Sequence, residues 1–182
     1  MFLREQANKL YNFIPYFFAN SAIQIPTTTI LPVITLCITY WGCGFRRNNP
    51  IEFLQIYLIL AILANCAVSM GLFISALIGQ PEAATAASSL ITLPSILFGG
   101  LYANSATIPV YFDWIQYLSP IRYANEAICQ AQWKDVNLET EALLDRLGFD
   151  LGYTKCIILL AIITVVWRLG ALIALRCKIT RF

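Results

Sequence analysis

Apolar residues run along this chain in long blocks, and the charges fall between the blocks. No Asp, Glu, Lys or Arg occurs between Lys9 and Arg46, between Glu52 and Glu82, or between Glu82 and Asp113. A helix crossing a bilayer needs roughly 20 residues with few or no charges, because lipid offers no partner to an unpaired charge or backbone group. The first interval is longer than one crossing requires, and Pro15, Pro26 and Pro32 punctuate it. It predicts an interfacial lead-in and then a kinked span at 22–43. The second and third intervals predict spans at 53–79 and 83–103. A last apolar block, 156–176, predicts a fourth span that contains Arg168.

Four crossings return both ends of the chain to one side. Arg4 and Lys9 stand at the N-terminal end, and Arg176, Lys178 and Arg181 at the C-terminal end. The positive-inside tendency puts both termini in the cytoplasm, against the weaker opposing signal of Arg46 and Arg47. Segment 104–155, which holds most of the acids, is then exoplasmic. Within it Pro109, Tyr111, Phe112, Trp114, Tyr117, Tyr123 and Trp133 cluster. Tyr and Trp favour the membrane–water boundary. Residues 108–118 and 121–133, parted by Ser119-Pro120, predict two short helices that fold back as a re-entrant lid over the outer mouth.

The spans carry a few polar or small positions. Ala67, Gly71, Ser75 and Gly79 recur every four residues, the spacing that lets helix backbones approach in lipid. Small residues are also simply common in membrane helices; either way this face is expected against protein. Pro94 should kink the third span, where Ser88, Ser89, Thr92 and Ser95 offer hydroxyls. These hydroxyls either bond back to helix carbonyls or line a pathway. Arg168 costs roughly 3 kcal/mol at membrane depth. It either snorkels to the cytoplasmic surface or pairs with an acid, and an acid would come from another chain or segment, since Glu52 and Glu82 sit at span edges.

Composition agrees with a lipid solvent. Of the 182 residues 59 % are hydrophobic and 12 % charged, and the mean hydropathy is +0.69. Soluble domains are about half apolar and about a quarter charged. A net charge of +2 is too small to suggest nucleic-acid binding. The chain has no histidine, which removes the commonest general base and the usual zinc ligands. Its six cysteines are scattered without a CxxC pair, and no signal-peptide pattern opens it. An intramembrane enzyme would need convergent catalytic groups at depth; the spans offer only hydroxyls and one arginine.

Two stretches carry a family resemblance. FLREQANKLYNFIPYFFANSAIQIP resembles the cytoplasmic loop and third transmembrane helix of ABCG-type half-transporters. LFGGLYANSATIPVYFDWIQYLSPIRYANEAICQAQW is similar to the fifth helix and re-entrant outer segment of that family, and most like its white/scarlet eye-pigment-precursor subfamily. LLDRLGFD and WRLGALIALR also look like that subfamily. The resemblance covers essentially the whole chain, and its specific part is the stretch from NSATIPVYF to RYANEA.

The resemblance implies an all-α polytopic bundle, part of an ABC-2 type transmembrane domain, with about four spans plus re-entrant outer helices. It implies helices three to six of a half-transporter, without the first two helices or the nucleotide-binding domain. In agreement, there is no GxxxxGK[ST] loop and not even a Gly-Lys pair. The chain alone is therefore not expected to hydrolyse ATP; ATP and Mg are implied for the domain it lacks, and a truncated copy with an internal Met1 is the expected origin. Residues 1–20 would be a cytoplasmic coupling segment in which Arg4 and Glu5 meet the nucleotide-binding domain. Ser89, Leu93 and Ile96 would face the central substrate pathway. Leu101 and Tyr102 match the outer plug, where relatives often have two leucines.

Other departures are visible. Gln24 stands where relatives often place an acid before Pro26, and no N-x-[ST] sequon occurs. Only Cys129 lies in the last outer loop, so the family's internal disulfide is absent or replaced by a chain-to-chain bond. The implied partners are a second half-transporter, as homo- or heterodimer, the lipid bilayer and a small hydrophobic substrate, with no nucleic acid. The implied function is the permease part of an ATP-driven exporter of small hydrophobic or aromatic molecules: pigment precursors, lipids or sterols. The alternative is a truncated, non-transporting membrane protein that dimerises with full-length relatives and modulates them.

Overall fold

A computed structural model describes residues 13–42, 44, 50–100, 113–133, 148–149 and 151–179. All regular structure among them is α-helical: α1 (Phe13–Gly42), α2 (Pro50–Ile78), α3 (Pro81–Leu97), α4 (Asp113–Leu118), α5 (Pro120–Trp133) and α6 (Tyr153–Ile179). Three helices are long and apolar enough to cross a membrane, over Phe17–Gly42, Ile51–Ile78 and Tyr153–Cys177. The chain is a membrane protein. The predicted third span is a shorter helix, the 17 residues of α3, at the lower edge of crossing length; residues 101–103 of that prediction lie outside the described residues.

The first interval forms one helix rather than a lead-in and a separate span. Pro26 and Pro32 are both inside α1. Around Pro26, Thr27, Thr28 and Thr29 donate their hydroxyls to carbonyls one turn earlier, Ile23, Gln24 and Ile25, at 3.2, 3.0 and 2.9 Å. Such bonds keep backbone groups occupied beside a proline where no water can serve them.

The bundle is built on α2. It packs most extensively along α6, and α1 lies on another side of it. The α2–α6 pair runs parallel: Ile59 shares a buried cluster with Cys156 and Leu160, and further along Phe73 stacks on Trp167 with ring centroids 5.2 Å apart. Near that point a Cβ on Gly170 would fall 3.1 Å from the Phe73 ring, so a glycine lets the ring edge approach α6 closely. α1 runs antiparallel to α2, with Leu36 and Tyr40 near its end buried against Ile56 near the start of α2.

Of the two short helices predicted at 108–118 and 121–133, the second is α5 and the described part of the first is α4, separated at Ser119; residues 108–112 lie outside the described residues. α5 packs against both α2 and α6. Tyr123, Ala124 and Ala127 join the Ile59–Cys156–Leu160 cluster, while Ile128 and Ala131 reach the α1–α2 cluster. α5 thus closes the end of the bundle where α1 stops and α2 and α6 begin. α3 is different: it touches α2, α4 and α5, and none of its residues is buried.

Candidate functional site: the midplane network, the lid and the open helix

Three of the long helices meet in a polar network at their middles. Arg168 Nε donates to Ser69 Oγ at 3.0 Å, and its Nη2 donates to Asn65 Oδ1 at 3.5 Å. Thr28 Oγ1 lies 3.2 Å from the same Asn65 oxygen, which competes with the Gln24 carbonyl for its single hydrogen. Asn65 Nδ2 donates in turn to the Ala61 carbonyl, and Ser69 Oγ to the Asn65 carbonyl, at 2.9 and 2.7 Å. The segment Tyr153–Cys177 is centred on residue 165, so Arg168 lies about 4.5 Å of helix rise from the centre. Asn65 and Thr28 lie as close to the centres of Ile51–Ile78 and Phe17–Gly42.

Arg168 therefore neither snorkels nor needs an acid from elsewhere for its hydrogen bonds. Its partners are a neutral amide and a hydroxyl on the neighbouring helix. Spacing alone concealed this, because Asn65 and Ser69 sit about a hundred positions away and are ordinary residues in the linear chain. The usable signal was Asn65 itself, an amide in the middle of an otherwise apolar block.

The lid is held by a second polar set, this one enclosed. Glu126 is fully buried, 0 % exposed. Its Oε1 accepts the Leu151 backbone N–H at 2.7 Å and Gln130 Nε2 at 3.4 Å. The Gln130 amide also donates to the Phe149 carbonyl at 3.2 Å. This ties α5 to the segment entering α6. On the other side Ser119 Oγ donates to the Ser95 carbonyl and Asn125 Nδ2 to the Gly99 carbonyl, each at 2.8 Å. These bonds join the lid to the end of α3.

The lid also perturbs its own titratable groups. Burial pushes the Tyr123 phenol up, partly opposed by the Arg122 charge; the hydroxyl donates to the Tyr117 carbonyl at 2.8 Å. Burial, reinforced by Glu126, pushes the Cys129 thiol up to about 11. Arg122 stacks its guanidinium 4.9 Å from the centre of the Tyr117 ring. That contact supports a buried cation whose Nε and Nη1 find no hydrogen-bond acceptor among the described residues.

The glycine pair that opens the lid is needed sterically. A Cβ on Gly99 would come within 2.8 Å of Ile121 Cγ2 and 3.1 Å of two carbonyl oxygens, and Gly100 has φ +85°. Only glycine permits both the close approach and the left-handed turn at no cost.

Ser89, Leu93 and Ile96 lie on exposed faces of α3, with Leu93 65 % exposed. The Ser88, Ser89, Thr92 and Ser95 hydroxyls each bond back to the carbonyl four residues earlier, at 2.8, 3.1, 2.8 and 2.9 Å. Each of these hydroxyls is thus accounted for within its own helix. Among the described residues nothing buries the small-residue row on α2: Ala67, Ser75 and Gly79 are exposed, and a Cβ on Gly71 would meet nothing within 4 Å. Arg4, Glu5, Leu101 and Tyr102 lie outside the described residues.

Comparison with known proteins gives one consistent result. The family model for the ABC-2 type transporter matches residues 1–133. The chain is similar to Protein white of Ceratitis capitata, 31 % identical over 100 % of this chain and 29 % of that protein. It is similar to Protein scarlet of Drosophila melanogaster, 31 % identical over 75 % of this chain and 20 % of that protein. ABC transporter G family member 22 of Arabidopsis thaliana is 27 % identical over 97 % of this chain and 22 % of that protein. The chain spans less than a third of the length of each.

Proposed function

We propose that this chain, which belongs to the ABC-2 type transporter family, is the part of an ATP-driven exporter's permease that supplies one wall of the substrate pathway and its outer lid. The exporter works as a homo- or heterodimer of half-transporters, with both termini of this chain cytoplasmic. The observation that carries this reading is the contrast between a body whose helices bury one another and a helix, α3, in which no residue is buried. α2 packs against α1, α5 and α6, and their apolar residues form two shared buried clusters. α3 carries a column of apolar and hydroxyl residues that the described residues leave uncovered.

The midplane network gives the body its rigidity. Separating α6 from α2 would strand the Arg168 guanidinium at the centre of the bilayer, where a charge costs roughly 3 kcal/mol even on insertion scales. α1, α2 and α6 therefore move together. α3 is tied to the lid by two hydrogen bonds near Gly99 and has no buried anchor of its own, so it is the element free to shift when the cavity opens and closes. Ser89, Leu93 and Ile96 line the pathway in this reading, and Leu101 and Tyr102 close it outward.

The cargo is a small hydrophobic or aromatic molecule, matched to a helix face made of Leu, Ile and Ser. Nothing in the chain has the glycine-lysine pattern that cradles phosphate. ATP and Mg belong to a nucleotide-binding domain that the segment around Arg4 and Glu5 would contact.

The test is ATP-dependent uptake of small aromatic and sterol-like probes into vesicles carrying the full-length transporter. Leu93→Trp is expected to abolish uptake while membrane insertion and thermal midpoint stay at the parent values. Uptake at the parent rate would remove this face of α3 from the pathway.

A further inference from the structure

We infer that the groove between the C-terminal halves of α2 and α6 is a binding site for an anionic glycerophospholipid of the leaflet that contains the chain's basic tail. The groove has a volume of about 530 Å³ and is lined by Phe73, Ala76 and Leu77 of α2 and by Gly170, Ile173, Ala174 and Cys177 of α6. That volume falls in the range that accepts a ligand of several hundred daltons. Its walls are hydrocarbon and a thiol. Gly170 forms the recess: with no side chain there, the Phe73 ring lies against the α6 backbone and floors the groove. Leu77 and Ile173 stand at its rims, 58 % and 61 % exposed.

The charge at the groove's end selects the lipid. Arg176 and Lys178 flank Cys177, a groove-lining residue, in the last turns of α6. Glu82, in the first turn of α3, is the acid at this end of the bundle among the described residues. The balance stays positive. Basic positions between transmembrane helices at the cytoplasmic side attract anionic headgroups, and hydrocarbon recesses beneath them hold the attached acyl chain. A zwitterionic lipid would fill the same recess but gain nothing at its mouth. A transmembrane helix of another segment would cover the recess and exclude lipid altogether, which makes it a distinguishable outcome.

This site rests on the membrane-spanning reading of α2 and α6, so the experiment separates the two. The full-length protein is reconstituted in nanodiscs doped with photoactivatable phosphatidylserine or photoactivatable phosphatidylcholine, and the labelled residues are mapped by mass spectrometry. Ile30 and Leu31 of α1, both mostly exposed, report general contact with lipid. They should label equally with both probes.

The groove residues should label several-fold more with the serine lipid, as expected for a few basic groups at the headgroup level. Ala174→Trp, which fills the recess, should remove groove labelling by both probes. Arg176→Gln with Lys178→Gln should keep labelling but erase the preference. Equal labelling of the groove by the two lipids in the parent protein would overturn the proposal, and so would an unlabelled groove beside labelled Ile30 and Leu31. Absence of label at Ile30 and Leu31 as well would instead overturn the membrane placement itself.

Discussion

α5 and α3 adjoin each other and obey opposite rules. α5 is a mixed helix, and it buries Arg122, Glu126, Gln130 and Gln132 together with its small apolar residues. α3 is more apolar, and it buries nothing; Leu90 is 72 % exposed. In water the order would be reversed. In a membrane domain, polar groups must find protein partners because lipid supplies none, while apolar side chains can face lipid or another subunit without penalty. Burial within this one chain therefore marks where the fold is self-sufficient. Exposure of a hydroxyl-bearing apolar helix is what the proposed pathway requires of a face completed by another segment or subunit. Stability should reside in α5 and transport in α3.

Glu126→Ala should produce the largest loss of stability. It removes the acceptor of the Leu151 N–H and leaves Gln130 Nε2 with the Phe149 carbonyl alone, a cost of about 3 kcal/mol. The thermal midpoint of the full-length protein should fall well below that of the parent, and an unchanged midpoint would break the contrast.

Gly99→Val comes next, at about 2 kcal/mol, because its Cβ meets Ile121 at 2.8 Å and carbonyl oxygens at 3.1 Å. Its midpoint should fall less than that of Glu126→Ala and still clearly below the parent's.

The third effect is one of pH. Cys129 is pushed up to about 11 from an ordinary value of 9.0, so the folded lid favours the thiol. An unfolded chain ionises first, and stability is fully present below pH 9 and falls as the pH rises toward about 11. Cys129→Ser should flatten that part of the stability–pH curve. A slope identical to the parent's would assign it to other groups.

Leu90→Ala and Leu93→Ala should have the smallest effect, within about 0.5 kcal/mol of the parent. A midpoint drop as large as that of Glu126→Ala would show that α3 is an integral part of the packed body after all.

The sequence announced the blocks, because charge exclusion from lipid is written residue by residue. α2 and α6 occupy the predicted intervals, and the two lid helices break at the expected Ser119-Pro120. α1 was less legible: prolines argued for a division, and the threonine hydroxyls beside Pro26 accompany an unbroken helix instead. The partners of Arg168 were hidden because hydrogen bonds between parallel helices depend on rotation about the helix axes, which spacing does not reveal. Glu126 reads as one acid among many in segment 104–155, and only the packing of α5 against α2 and α6 singles it out. The small-residue row on α2 was expected against protein and lies open within this chain. The close approach of α2 to α6 uses Gly170 beneath Phe73 instead.

The most direct measurement is cysteine accessibility at two positions of α5 in the full-length transporter, made in a background with reactive native cysteines replaced. Trp133 is half exposed at the end of the lid, whereas Ala127 is buried against α2 and α6. A membrane-impermeant maleimide added to intact cells should label Trp133→Cys, and should label Ala127→Cys only after denaturation. Labelling of Ala127→Cys in the native protein, or of Trp133→Cys only after the cells are permeabilised, would contradict a lid folded into the outer end of the bundle.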